Sequence, residues 1–191
     1  MKTTAKRSKS EYNANKFHIL LISILFCSIM SLLWFVQCSG LCVTNMTSSM
    51  PMGIYGVAEL AEPETGETVI VCPRRTVLMS EALARGYLMK GDKECWITPL
   101  LKRVIAKQGD AVKTEIEGIY VNGVLVPNSR IQKTDSRGRE LPIWSYDGLI
   151  PEHEYLLLTD NPRSFDGRYF GLTSRDEITH RAYPVLTFSW R

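Results

Sequence analysis

Metal-ligating residues are sparse in this chain. Its three histidines, His18, His153 and His180, are scattered, and none of the five cysteines forms a Cys-x-x-Cys pair. No metal site is expected from that distribution, and no cofactor. A dominant charge is also missing. The 23 basic and 20 acidic residues leave a net +3, with no basic stripe to mark a nucleic-acid partner. Neither internal repeats nor low-complexity linkers interrupt the sequence. Its 191 residues suffice for one domain with a sizeable core and are marginal for two.

Charge is absent altogether from Phe17 to Val36, a run without Asp, Glu, Lys or Arg. As a helix rising ~1.5 Å per residue, it would reach about 30 Å, the thickness of a bilayer core. Lys2, Lys6, Arg7, Lys9 and Lys16 precede it against Glu11 alone. This pattern predicts a cytoplasmic basic tail over 1–16, a single transmembrane helix over 17–36 and an extracytoplasmic domain over 37–191. A cleaved secretory signal has a shorter apolar region followed by a small-x-small site, whereas this run ends in Trp34 and Phe35. The expected location is therefore the inner, cytoplasmic membrane, with lipid bilayer as one partner and the domain on the periplasmic side. In that oxidising compartment Cys72 and Cys95 can form a disulfide; the alternative is two buried thiols.

Beyond the anchor the chain reads as mainly β. Strands are expected over Ile54–Ala58, Thr68–Cys72, Leu100–Lys107, Ala111–Ile116, Gly118–Val121, Val124–Val126, Glu154–Leu158 and Val185–Ser189. Val121-Asn122-Gly123-Val124 carries the type I′ hairpin signal. One short helix is expected over Met79–Met89, with Ser80 as N-cap and Gly91 near its end. Lys133–Pro142, rich in charge and glycine, reads as an exposed loop.

Within the Leu100–Lys107 strand, Lys102 stands among Leu100, Leu101, Val104 and Ile105. A lysine there is commonly an edge residue reaching solvent. Buried instead, it would be held neutral and would become a base. An ordinary lysine pKa of ~10.4 leaves about one amine in two thousand neutral near pH 7, and lowering it by roughly three units takes ~4 kcal/mol of desolvation. Ser49, ahead of Met50-Pro51 in a turn-like setting, is a candidate nucleophile for such a base, although a serine before a proline is ordinarily just a turn residue.

Ser49-Met50-Pro51-Met52-Gly53-Ile54-Tyr55 resembles the nucleophile box of the type I signal peptidase superfamily (serine peptidase family S26), particularly its conjugative-transfer, TraF-type branch. Leu101-Lys102-Arg103-Val104 followed by Gln108-Gly109-Asp110 resembles the general-base box of that superfamily. Residues 160–171 resemble its C-terminal Asp-Asn…Ser-x-Asp-x-Arg-Tyr-x-Gly signature, and Ala82–Leu88 is similar to the transfer branch specifically. Ser48 adjoins Ser49, so the nucleophile follows from the Ser-Met-Pro register.

This resemblance implies a signal-peptidase-like coiled β-sheet domain carrying a Ser/Lys dyad, with Ser49 as nucleophile and Lys102 as general base. The Ser49 backbone N–H and the Thr47 hydroxyl would form the oxyanion hole. Ser164 would orient the lysine, and Asp166 and Arg168 would pair to hold the third block. Positions i and i+2 of a strand share a face, which would let those two meet. Met50 and Pro51 would contact substrate. The implied substrate is a membrane-bound pilin or other exported precursor, cleaved and released by water or closed into a ring by an amine. Alternatives are a general type I signal peptidase and a non-catalytic anchored component of a transfer apparatus.

Overall fold

The computed structural model describes residues 16–32 and 40–188. The chain divides into two compact units, Met1–Cys42 and Val43–Arg191. In the first, residues 16–32 form a helix, α1, whose side chains are exposed. The expected span over 17–36 is thus helical as far as 32. Its last four residues, and positions 1–15 of the expected tail, lie outside the described residues. Among the described residues no helix is long and apolar enough to cross a membrane.

The second unit is mainly β. Its strands are β1 (Cys42–Asn45), β2 (Met52–Ala58), β3 (Thr68–Val71), β4 (Leu100–Ala106), β5 (Ala111–Thr114), β6 (Ile119–Val121), β7 (Val124–Leu125), β8 (Asp147–Leu149), β9 (Glu154–Leu158), β10 (Leu172–Ser174) and β11 (Ile178–Phe188). A seven-stranded sheet runs β1-β2-β11-β3-β4-β9-β10, and a four-stranded sheet runs β7-β6-β5-β8. Strands β3 and β9, apolar nearly throughout, take central places where both faces are covered. Val69, Val71, Val104, Tyr155, Leu157 and Ile178 form one core cluster along them. Ala106, Val112, Ile119, Ile150, Leu156 and Leu158 form another beside the smaller sheet.

The expected hairpin is present. Asn122 and Gly123 take φ of 51° and 80°, and Val121 pairs with Val124. Three short strands, β1, β8 and β10, were not anticipated. The strand expected over Val185–Ser189 is, as far as Phe188, the end of the much longer β11, and Ser189 lies outside the described residues; the earlier half of β11 carries His180, Arg181 and Pro184, which mask its strand character, and a register shift lies between Pro184 and Leu186.

The helix expected over Met79–Met89 is α2, Val77–Ala84, and its N-cap is Thr76 rather than Ser80. Thr76 is extended, and its Oγ1 accepts from the Met79 N–H at 3.1 Å, so the helix starts a turn earlier. Ser80 lies inside the helix and donates back to the Thr76 carbonyl at 2.7 Å. Arg85 caps the other end and Gly86, at φ +80°, turns the chain away before Gly91 is reached. A disulfide joins Cys72, just past β3, to Cys95 beyond α2.

Gly53 is the glycine on which the pairing of β2 with β11 depends. Its φ is +141°, and an added Cβ would lie 2.0 Å from the Leu186 carbonyl oxygen and 2.8 Å from the Thr187 Cα. Only hydrogen there lets β2 lie against β11 immediately after the Ser49 turn. Gly53→Ala is expected to cost about 2–3 kcal/mol and to lower the melting temperature by roughly 4–10 °C, measured by thermal unfolding.

Candidate active site

The β1–β2 connection, residues 46–51, carries Thr47 and Ser49. A single buried side chain organises it. Asn45, 7% exposed at the end of β1, donates from Nδ2 to the carbonyls of Thr47, Met50 and Pro51 at 3.0–3.1 Å. Its Oδ1 accepts from the Thr47 N–H at 3.0 Å and from the Thr47 hydroxyl at 2.8 Å. Thr47 Oγ1 lies 2.9 Å from Ser49 Oγ. With the one Thr47 hydroxyl proton given to Asn45, Ser49 is the donor in that contact, and lone pairs on its oxygen stay open. Tyr55 completes the clamp by donating to the Pro51 carbonyl at 2.7 Å.

Met50, expected to contact substrate, does not present its side chain to one. It is 4% exposed and packs with Tyr55, Ile70, Leu101 and Ala182. The apolar thioether holds the loop down on the sheet, a core role. Pro51 is half-buried and contributes the carbonyl that Asn45 and Tyr55 both bind.

Lys102 lies in the middle of β4, opposite Val69 of β3, and is 3% exposed. The strand-edge alternative is therefore excluded. Nζ donates to Ser164 Oγ at 3.0 Å and to the Phe165 carbonyl at 3.2 Å. Burial holds its pKa down to about 8, with Asp166 pulling it up and Arg168 pushing it further down. A neutral amine has two N–H groups; both are occupied by these acceptors, which leaves the lone pair to take a proton. Ser49 Oγ is not among its hydrogen-bond partners in this state.

Asp166 and Arg168 pair at 3.1 Å, each with its side chain 0% exposed. They are not on a strand, as the i, i+2 argument supposed. Asp166 is the N-cap of the short helix α3, Gly167–Phe170, and Arg168 lies within it. The reason is local: the Asp166 carboxylate accepts the Arg168 backbone N–H at 3.2 Å, which nucleates a helical turn. Nor is this a surface pair of small value. Arg168 donates to the carbonyls of Thr159 at 2.6 Å and Asn161 at 3.0 Å, and Asp166 accepts from the Thr159 N–H and hydroxyl at 3.1 and 3.2 Å. Burial pushes the Asp166 carboxyl up, while Lys102 and Arg168 oppose that shift.

Asn161 links the two halves of the site. Its Nδ2 donates to the Ser48 carbonyl at 2.8 Å, while its own carbonyl accepts from the Ser164 N–H at 3.1 Å and from Arg168. One loop thus touches the Ser49 turn through Asn161 and Lys102 through Ser164. Asn45, Tyr55 and Asn161 were not anticipated as site residues. Their signal is weak, because each works by bonding backbone, which leaves no periodicity in the sequence. Among the described residues no group of three His, Cys, Asp or Glu side chains converges to hold a metal.

The antiparallel sheets thus carry a buried lysine bonded to Ser164, on a loop whose Asn161 bonds the Ser49 turn. A family model described as signal peptidase, peptidase S26, matches residues 14–187, and the chain belongs to that family of peptidases. Among its relatives, a plasmid transfer protein TraF of Escherichia coli is 39% identical over 146 residues, which is 75% of this chain and 82% of the relative. A conjugal transfer protein TraF of Agrobacterium tumefaciens (strain 15955) is 34% identical over 145 residues, 75% of this chain and 81% of its own. A crystal structure of a signal peptidase I from Enterococcus faecalis V583 aligns with a TM-score of 0.38 at 18% identity, covering 64% of this chain and 98% of that one.

Proposed function

We propose that this protein is a membrane-anchored serine endopeptidase that uses Ser49 and Lys102 to process an exported, membrane-tethered precursor, a pilin of a conjugative transfer system. The observation that carries the dyad is Lys102: buried, held down to about 8, with both amine hydrogens occupied by Ser164 and Phe165. The transfer-protein names of its relatives support the choice of precursor. The anchor rests on the uncharged run 17–36, its basic flank and the exposed apolar side chains of α1. In this reading the N-terminus is cytoplasmic and the peptidase domain extracytoplasmic.

The Ser49 hydroxyl leaves Thr47, turns to Lys102 and passes its proton to Nζ as Oγ attacks the scissile carbonyl. The oxyanion is received by the Ser49 N–H and by the Thr47 hydroxyl, which rotates its proton from Asn45 to the new acceptor, each donor of this kind being worth ~3 kcal/mol. The ammonium then protonates the departing amine, leaving an acyl-enzyme and a neutral Lys102. Water or a second amine, deprotonated by the same lysine, then attacks the ester carbonyl, and the ammonium returns that proton to Ser49 Oγ as it leaves; the amine closes the product into a ring. A general signal peptidase activity is the second reading, favoured by the description of the matching family.

The mass of the mature pilin tests this reading. Cells with the wild-type protein are expected to yield the cleaved chain, and a product one water lighter than linear marks ring closure. Cells carrying Ser49→Ala are expected to retain the full precursor. Normal maturation in those cells would overturn the proposal. Rescue of cells depleted of their general signal peptidase would favour the second reading.

A further inference from the structure

The Ala82–Leu88 block has no part in the chemistry above, yet one of its side chains reaches the base through a single intermediary. We propose that Tyr87 is a positioning residue for Lys102: its ring, pinned through its hydroxyl to Asp135, packs on Phe165 and holds the Phe165 carbonyl against the amine. This inference rests on the assignment of Lys102 as the general base.

Phe165 is boxed in by rings. Its centroid lies 5.4 Å from Tyr87, 5.5 Å from Tyr169 and 5.9 Å from Phe170, with Tyr169 nearly parallel at 4°. Aromatic neighbours at such separations fix one another's orientation beyond simple area burial. Phe165 cannot turn without dislodging them, so its carbonyl stays 3.2 Å from Lys102 Nζ. Two of those rings, Tyr169 and Phe170, belong to α3 and follow Phe165 in sequence. Tyr87 is the support that comes from elsewhere in the chain.

Tyr87 is itself held on three sides. Gly86 turns the chain out of α2 just before it, and the Tyr87 N–H donates to the Ala82 carbonyl at 2.9 Å. Its hydroxyl donates to Asp135 Oδ2 at 2.6 Å. The Arg139 guanidinium sits 5.3 Å from its ring centroid and is itself ion-paired to Asp135 at 2.6 Å. Arg85 adds a bond to the Glu140 carbonyl at 2.6 Å, and Arg139 one to the Arg85 carbonyl at 3.2 Å. The charged 133–142 loop is therefore a buttress for Tyr87, and the Ala82–Leu88 block is the strut between that loop and the base.

A purely structural role for Tyr87 would change melting temperature alone. A positioning role also changes how dry the amine is kept. The charged groups acting on Lys102, Asp166 and Arg168, are untouched by substitution at 87, so a moved pH limb reports its surroundings. The full-length protein in detergent micelles is assayed on an internally quenched peptide with alanine at the cleavage position. Tyr87→Leu is expected to lower kcat about tenfold with KM little altered, because Tyr87 meets no substrate. The rising limb of kcat/KM is expected to move up by about half a pH unit or more, toward an ordinary lysine. Tyr87→Phe keeps the ring but loses the bond to Asp135, and is expected to fall between wild type and Tyr87→Leu in both kcat and limb position. Should Tyr87→Leu not fold, Asp135→Ala removes the hydroxyl's acceptor and is expected to shift the limb in the same direction. An unmoved limb in a folded variant at either position overturns the inference. Retained cleavage by Lys102→Met sinks the base assignment itself, whereas an inactive Lys102→Met beside an unmoved Tyr87→Leu limb sinks only the role of Tyr87.

Discussion

Lys102→Met is expected to yield a protein that folds, melts at a higher temperature than wild type near pH 7, and cleaves at least ~10³-fold more slowly. The rate loss follows, on the proposed dyad, from removing the base assigned to take the Ser49 proton; positioned bases contribute about 10²–10⁴-fold, and without one the hydroxyl is scarcely nucleophilic. The stability gain follows from the lowered pKa. Burial brings Lys102 from 10.5 to about 8, so the folded protein gives up this proton more readily than the unfolded chain does. Between those values the unfolded state binds more protons, and stability rises with pH. Below pH 8 the whole penalty is present, on the order of 3 kcal/mol before the two hydrogen bonds to Ser164 and Phe165 are set against it. Methionine fills the same space without charge. The melting-temperature gap between variant and wild type is therefore expected to be widest below pH 8 and to close as pH rises toward 10.5. A variant less stable than wild type at pH 7, with a pH-independent gap, contradicts a strained amine. Wild-type cleavage itself is expected to rise with pH through about 8, as the neutral fraction grows.

Breaking the Asp166–Arg168 pair is expected to be the most damaging change to the fold. Both side chains are fully buried, and Arg168 alone binds the carbonyls of Thr159 and Asn161. Arg168→Met leaves a buried carboxylate without its cation and takes a donor from the carbonyls of Thr159 and Asn161, which typically costs about 3–5 kcal/mol, or roughly 10 °C in a domain of this size. Replacing both partners by leucine is expected to cost less than the sum of the two single changes. The pair also sets the base from opposite sides. Asp166 raises the Lys102 pKa and Arg168 lowers it. In variants that still fold, Asp166→Asn is expected to move the limb of the activity profile to lower pH, and Arg168→Met to higher pH. Shifts in the same direction would show that looser packing, not charge, had moved the amine.

The parts of this site that were legible in the sequence are those fixed by residue type. The Asn122-Gly123 turn and the apolar runs of β3 and β9 each carry one physical meaning, and the structure places them accordingly; Lys102 carried two, edge or buried, and its place on β4 between β3 and β9 decides for burial. What escaped depends on bonds to backbone. Asn45 and Asn161 are ordinary polar residues in sequence, and only the closed β1–β2 turn gives their amides several carbonyls to bind. Asp166 and Arg168 were readable as partners but not as a helix cap, since the i, i+2 spacing fits a strand equally well. Met50 misled because a residue beside a nucleophile invites a substrate role, while its apolar side chain follows the hydrophobic effect into the core. Strands of three or four residues such as β8 and β10 have no room for a period to emerge.

The sheet order has a consequence for timing. Ser49 leads into β2 and Lys102 lies on β4, yet β2 reaches the remainder of its sheet only through β11, the last strand in chain order, wedged between β2 and β3. A growing polypeptide can make the lysine-bearing core and, separately, the serine-bearing hairpin well before the two belong to one sheet. Until Ile178–Phe188 has been made, the strand that joins the Ser49 half of the sheet to the Lys102 half is missing.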